Sequence, residues 1–552
     1  MFDLFGLFDY RVLMVVNILC ILSVVFIERK KPSETISWVL VITFLPGIGF
    51  ALYLLIGETA SMKMASKFGR KKLFDTDWRR RHAERMGHAI DGGGAGNIGG
   101  GGAVNAGGLA SVEYNDMALM LDRQNAAALT YGNAVSIYTN AHDKYRALYA
   151  DIMNAKKSVH LLYFTFNADH VGCRFIDLLA QKASEGVEVR LLYDTIGNFP
   201  YLLSHFKKII RAGGQVYRFF PLVNVLKVNY RNHRKIAVID GRIAYTGGIN
   251  ISKSYIGEHR RAKPWRDTHI RLVGPCVGEF QERFLLDWIY VSRERFDFDD
   301  LATLGAYFPA PDGGDAGAPA ENDDMIPTDA ENGDPVWDAA NNGDTMSADA
   351  ENGDAIPADA EIAAVPTGGG AGQVAVQVVS SGPDVEGEHI KYGYIKMINR
   401  AKRRLYMQSP YFIPDDAFML ALKLAVDSGV DVRIILPGIP DKRSVYVITR
   451  SYISELLRVG VRVYLYEGFI HSKMFLMDGE VASIGSANID IRSFLLDFEI
   501  NAFLYDRAFA KKCEDIFEDD IQHSKEVTAI QLSRNPFMRI AETLLRILSP
   551  LM

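Results

Sequence analysis

The chain has 552 residues, 48% of them apolar and 11% aromatic, enough for more than one packed domain. Its four cysteines (Cys20, Cys173, Cys276, Cys513) show no C-x-x-C spacing, which argues against a disulfide framework or a zinc cluster and fits a reducing compartment. The charge is segregated: no Lys or Arg lies between Arg295 and Lys391, and the 21 Asp and Glu there, within a whole-chain net of −6, leave the rest at +15, a basic body suited to anionic lipid or nucleic acid.

Residues 12–27 are apolar apart from Asn17 and Ser23, and residues 36–56 form a second apolar run broken by Pro46, Gly47 and Gly49. Each approaches the ~20 residues that cross a bilayer, and Trp38 and Tyr53 sit near the ends of the second run, where aromatic anchors belong. A cleaved signal peptide would need a positive start and a small-residue cleavage site; Asp3 and Asp9 stand there instead, and no such site follows. Residues 1–60 are therefore expected to be a retained transmembrane helical hairpin. The basic residues that follow (Lys63, Lys67, Arg70, Lys71, Lys72, Arg79, Arg80, Arg81) place the large body in the cytoplasm by the positive-inside tendency, although the loop between the two runs is basic too. Residues 61–112 read as a basic juxtamembrane segment with a Gly-rich linker at 92–108.

The folded remainder reads as one unit written twice, at 113–300 and 386–552. "SVHLLYFTF" (158–166) matches "LYMQSPYFI" (405–413), "EGVEVRLLYD" (185–194) matches "SGVDVRIILP" (428–437), and "AGGQVYRF" (212–219) matches "VGVRVYLY" (459–466). Apolar strands alternating with helical stretches predict duplicated α/β units with buried sheets. Between the copies, 301–385 is expected to be an acidic disordered insert. It carries a ten-residue repeat (Asn332-Gly333-Asp334, Asn342-Gly343-Asp344, Asn352-Gly353-Asp354) and too few apolar residues to form a core.

Each copy ends in the same constellation, H-x-K-x4-D-x6-G-[GS]-x-N: His233, Lys235, Asp240, Gly248 and Asn250, then His471, Lys473, Asp478, Ser486 and Asn488. One match could arise by chance; two at equivalent places in a duplicated chain are a strong signal. If Asp240-Gly241 are the two loop residues of a hairpin, His233 lies opposite Gly248, Lys235 opposite Thr246 and Asn250 opposite Arg231. The second hairpin puts His471 opposite Ser486, with Lys473 and Asn488 on its face. Each hairpin then presents an imidazole, an ammonium and an amide around a small residue that leaves room for a tetrahedral anion. Asp240 and Asp478, as starts of Asp-Gly turns, read as structural members of the motif. Two lysines at the focus disfavour a divalent metal, and no second His or Cys sits at ligand spacing. Lys235, Lys473, Asn250 and Asn488 instead suit a phosphate.

This doubled motif resembles the phospholipase D superfamily. The fuller pattern resembles bacterial cardiolipin synthases over nearly the whole chain: the tandem N-terminal segments, "LPGIGFALYLLIG", "NHRKIAVIDG", "WRDTHIRLVGP", "SPYFIP", "HSKMFLMDG" and the terminal "LSPLM". The Gly linker and the acidic insert depart from the family, as does Asp497, where the family usually has Asn, so the local hydrogen bonding there should differ. The resemblance implies two phospholipase D-like α/β/α domains sharing one active site. It implies His233 as nucleophile and His471 as general acid, with no cofactor and no metal. It also implies Glu499, 28 residues after His471, as an orienting carboxylate, with Asp267 as the equivalent for His233. The implied reaction joins two phosphatidylglycerols through a phosphohistidine into cardiolipin and releases glycerol. The partners are then phosphatidylglycerol and anionic membrane lipid, with no nucleic acid.

Three alternatives stay open: a phospholipase D-type hydrolase or other phosphatidyltransferase, a phosphodiester nuclease, which would leave the membrane hairpin without a purpose, and an inactive membrane scaffold. At the far end, Phe537, Ala541, Leu544, Leu545 and Leu548 fall on one stripe of an amphipathic helix, which either lies on the membrane, where Arg539 and Arg546 could reach anionic headgroups, or packs on the protein's own core.

Overall fold

The computed structural model describes residues 10–26, 32–47, 49, 53, 114–198, 203–219, 230–258, 264–296, 305–309, 374–385 and 387–528. The Gly-rich linker, the acidic repeat and the C-terminal amphipathic helix lie outside the described residues.

At the N-terminus, α1 (Tyr10–Phe26) and α2 (Pro32–Phe44) pair around Cys20, Val24 and Ile42, with Trp38 edge-on to Tyr53 at 5.1 Å. Both are largely apolar beyond their first turns, and Val15, Leu19, Phe26 and Phe44 are exposed. No described helix is long and apolar enough to cross a membrane.

The first copy runs β1 (Thr130–Tyr138), α4 (Ala141–Asn154), β2 (Ser158–Tyr163), α5 (His170–Ser184), β3 (Glu188–Asp194), α6 (Lys207–Arg211), β4 (Gln215–Phe219), β5 (Arg231–Asn232), β6 (Ile236–Ile239), β7 (Ile243–Gly247), β8 (Trp265–Arg266), β9 (His269–Val273) and α7 (Val277–Ser292); α3 (Asn115–Asn125) precedes it. The second copy runs β10 (Val374–Ser381), α8 (His389–Arg400), β11 (Arg404–Gln408), β12 (Phe412–Ile413), α9 (Asp416–Asp427), β13 (Asp431–Pro437), α10 (Arg443–Arg458), β14 (Arg462–Tyr466), β15 (Phe469–Ile470), β16 (Met474–Met477), β17 (Val481–Gly485), β18 (Ile489–Asp490), α11 (Ile491–Leu495), β19 (Asp497–Tyr505), α12 (Arg507–Gln522) and β20 (Ser524–Glu526).

The two copies form a single sheet. Its order, β4-β3-β2-β6-β7-β9-β1 and then β10-β19-β17-β16-β11-β13-β14-β20, is, apart from the edge strand β20, a palindrome about the antiparallel β1·β10 seam. β2, β3 and β4 run parallel, as do β11, β13 and β14. Strands covered on both faces need unbroken apolar runs, and β2 is buried along its whole length. α4 and α5 cover one face of the first half, and α8, α9 and α10 the matching face of the second. α7 and α12 lie on the opposite face, where Phe284 and Trp288 share a core with Cys513, Phe517 and strands of both halves. Asp169, Asp415 and Asp506 cap α5, α9 and α12 by accepting backbone N–H bonds.

Three boundaries and registers differ from the sequence reading. Core strand β10 lies inside 301–385, the range expected to be disordered; its "VAVQVVSS" is short and Val-rich, and both its edges are paired. α3, inside the first copy's range, packs on the second, with Met117 and Leu121 against Ile390 and Met397 and Asp116 bonded to Lys396 at 2.8 Å. Both hairpins also slip by one residue. Ile239 faces Ile243 and Met477 faces Val481, so Lys235 is not opposite Thr246 and Arg231 is not opposite Asn250; Arg231 pairs with Asp497. The Asp-Gly turns do form: Asp240 (φ +52°) and Gly241 (φ +66°) close with Arg242 N–H donating to Ile239 O at 2.9 Å. Arg242, and likewise Glu480, then drops out of the ladder as a bulge.

Candidate active site

Asp240 and Asp478 sit away from the pocket and perform one task twice. The Asp240 carboxylate accepts the backbone N–H groups of Lys156, Lys157 and Ser158 at 2.7–2.8 Å, and that of Asp478 accepts those of Lys402, Arg403 and Arg404 at 2.8 Å. Each ties its hairpin turn to the start of the neighbouring parallel strand.

The histidines are held by two short parallel ladders that cross between the halves. β5, just before His233, pairs with the start of β19, and His233 N–H donates to Phe498 O at 3.0 Å. β15, just before His471, pairs with β8, and His471 N–H donates to Arg266 O at 2.6 Å. The side chains follow. His233 Nδ1 lies 2.9 Å from Glu499 Oε1, and His471 Nδ1 lies 2.7 Å from Asp267 Oδ2. The pairing expected from sequence order, Asp267 with His233, is therefore replaced by a crossed one in which each histidine takes its carboxylate from the other half. With Nδ1–H donated to a carboxylate, each imidazole presents the Nε2 lone pair to the pocket.

The carboxylates are anchored differently. Ser486 and Ser493 hydroxyls donate to Glu499, which has no exposure. Asp267 accepts Thr268 N–H at 2.7 Å and lies against Gly248, where an added Cβ would meet its Oδ1 at 2.0 Å. The lysine ammoniums donate back to the carbonyl oxygens of their own motif histidines, Lys235 to His233 O at 2.6 Å and Lys473 to His471 O.

The four motif side chains act on one another electrostatically. Burial, and then the charges of Lys235 and Lys473, push His233 well below the ordinary histidine range; His471 adds a smaller effect. Burial and Lys473 lower His471 to about 4, against the pull of Asp267. Burial lowers Lys235 to about 7 and Lys473 to about 8, and raises Glu499 to about 7. Two neutral imidazoles thus face two weakened ammoniums. A bound phosphodiester anion would offset the lysines and raise the histidines again.

The motif amides are unequal. Asn250 is committed: its Nδ2 donates to Tyr255 OH and its Oδ1 accepts Thr165 N–H at 3.1 Å. Asn488 makes no side-chain hydrogen bond among the described residues, and its Oδ1 is buried. Several supporting residues were given no role by the sequence. Tyr145 clamps Asn250 O at 2.6 Å, and buried Arg234 holds Asp287 with two 2.8 Å bonds while its Nε reaches Glu499 O across the halves. Arg266 makes a bidentate pair with Asp520 at 2.8–2.9 Å. Asp497, where Asn was expected, pairs with Arg492 at 3.1 Å.

Comparison with known proteins agrees in fold and extent. A family model described as the PLD-like domain of cardiolipin synthase matches residues 148–262 and 394–521, and one described as the phospholipase D-nuclease N-terminal region matches 15–58. A curated cardiolipin synthase of Listeria monocytogenes is 36% identical over 99% of this chain and 100% of its own length. The major cardiolipin synthase of Bacillus subtilis is 37% identical over 98% of each chain. The crystal structure of a phosphatidylserine synthase from Haemophilus influenzae covers 80% of this chain and all of its own, at 13% identity and a TM-score of 0.54, a likeness of fold.

Proposed function

We propose, from the premise that this chain belongs to the cardiolipin synthase family of the phospholipase D superfamily, that it transfers a phosphatidyl group from one phosphatidylglycerol to another. The observation that carries this reading is the pair of crossed His–carboxylate dyads, whose histidines both feel the charges of Lys235 and Lys473. His233 Nε2 attacks the donor phosphorus, the phosphorus–oxygen bond to glycerol breaks, and His471, which takes up a proton at Nε2 when the anionic donor binds, gives that proton to the departing oxygen. The primary hydroxyl of a second phosphatidylglycerol then gives its proton to His471 while its oxygen attacks phosphorus and the phosphorus–nitrogen bond breaks. Lys235, Lys473 and Asn488 would hold the non-bridging oxygens as charge builds, with Asn250 completing the wall. Glu499 and Asp267 act as positioning residues that fix each imidazole's tautomer.

In the same reading the N-terminal helix pair anchors the chain in the cell membrane, with the catalytic body on the cytoplasmic side. The domain limits are those of the two α/β copies, with the acidic stretch as a linker between them. Incubating the purified chain with phosphatidylglycerol alone and identifying products by mass spectrometry tests the function. Cardiolipin with glycerol is expected. Phosphatidic acid as the sole lipid product means a hydrolase, and no turnover means a scaffold.

A further inference from the structure

The two halves repeat their motif residues but not the flanks beside them. The ladders give the equivalence directly. Arg231 faces Asp497 two residues before His233, and Phe469 faces Trp265 two residues before His471. On the His471 side the pair is aromatic: Trp265 lies 4.7 Å from the Phe469 ring and 5.5 Å from His471. On the His233 side the two ladder partners are charged but form no ion pair with each other, and Asp497 pairs instead with Arg492 at 3.1 Å.

Arg231 stands out within that charged flank. It is half-buried, its guanidinium donates to Tyr230 O at 2.6 Å, and among the described residues no carboxylate lies within ion-pair distance of it. The acids around it are engaged elsewhere. Asp194 accepts the backbone N–H groups of Asn232, Ile196 and Gly197, and Asp497 holds Arg492. Burial and the neighbouring Arg492 charge both act against the Arg231 cation, and Asp194 and Asp497 offset them only in part. A half-buried guanidinium beside a second one, without an ion-pair partner, is a site that lacks an anion.

The chemistry of the reaction supplies one. The acceptor lipid is itself a phosphodiester, joined to its reacting hydroxyl by a three-carbon bridge, so the site must handle two phosphates at once. His233 and Arg231 are two residues apart on one strand face, about 7 Å along an extended chain, a separation that such a bridge spans. We infer that Arg231, seconded by Arg492, forms a second phosphodiester subsite beside His233 that holds the acceptor lipid's own phosphate. This rests on the phosphatidyl-transfer reading above.

The experiment compares two reactions of the full-length chain in phosphatidylglycerol vesicles. Cardiolipin formation uses an acceptor that carries a phosphate. Incorporation of labelled glycerol into phosphatidylglycerol uses an acceptor without one. For Arg231→Gln the ratio of cardiolipin formed to glycerol exchanged should fall roughly tenfold or more, the worth of a charge-assisted hydrogen bond, with the fall appearing in KM for phosphatidylglycerol. Arg231→Lys should recover much of the ratio. An unchanged ratio overturns the subsite, whether both reactions fall together, as a structural role would dictate, or neither falls. Wild-type protein that makes no cardiolipin would instead overturn the underlying function.

Discussion

Replacing Glu499 by Gln tests the crossed pairing more sharply than removing either histidine. Glu499 accepts from His233 Nδ1 at 2.9 Å and from the Ser486 and Ser493 hydroxyls, and it is completely buried. Gln keeps the size and can still accept from a serine, but its amide N–H₂ would donate to Nδ1. The imidazole proton then moves to Nε2, and the nucleophilic lone pair is lost. Wrong-tautomer substitutions of this kind cost roughly 10⁴-fold in turnover. Asp267→Asn should cost a similar factor with phosphatidylglycerol, but through the acid.

The two can be separated with a phosphatidyl ester of p-nitrophenol, whose leaving group departs without a proton. Asp267→Asn should keep its burst of p-nitrophenolate while losing cardiolipin formation; Glu499→Gln should lose both. Folding is checked by melting temperature against pH. Burial raises the Glu499 folded pKa to about 7. Its favourable contribution is thus present in acid and lost as pH rises through 7, at most about 3 kcal/mol by linkage. Glu499→Gln should therefore melt no lower than wild type above pH 7. A burst kept by Glu499→Gln and lost by Asp267→Asn would refute the assignment, and equal loss in both would show that neither carboxylate serves one histidine alone.

Other outcomes follow from the same geometry. Burial lowers Lys235 and Lys473 to about 7 and about 8, so the free pocket loses positive charge as pH rises through that window. The alkaline limb of kcat/KM for anionic lipid should fall there, well below an ordinary lysine titration, as a pH–rate profile would show. Gly248→Ala puts a Cβ 2.0 Å from Asp267 Oδ1 and should cost about 10²-fold in kcat by displacing the dyad. Ser486→Ala, at the equivalent position, removes one hydroxyl donor to Glu499 and should cost about tenfold. Asp240→Ala strands three backbone N–H groups near the surface; it should lower the melting temperature by about 2–4 °C and leave kcat/KM within about twofold of wild type.

The duplication and the pocket's principal side chains were legible because a motif repeated at identical spacing is improbable by chance, and because parallel strands covered on both faces write themselves as apolar runs. The pairing of histidines with carboxylates was not, for a physical reason. It is set by β5·β19 and β15·β8, ladders two residues long, which carry no periodicity and join segments hundreds of positions apart. The one-residue slip had a similar origin: the Asp-Gly turn was readable, but the bulges at Arg242 and Glu480 show only once the ladders beyond the turns are seen. β10 was hidden because its eight residues abut an acidic stretch whose composition dominates any window laid over it.

The most consequential thing concealed was an asymmetry that sequence repetition actively masks. A pocket made of two equal copies would present the same surroundings to the donor and the acceptor of the phosphatidyl group. Here the motif imidazoles and ammoniums recur in both halves while the residues two places before each histidine diverge to Arg231 and Phe469, and their ladder partners to Asp497 and Trp265. In the proposed phosphatidyl transfer, divergence at the flanks leaves the attacking and proton-donating groups untouched. Duplication would then allow two phospholipids to meet at one phosphorus in different environments, which a reaction joining unequal roles of the same lipid requires.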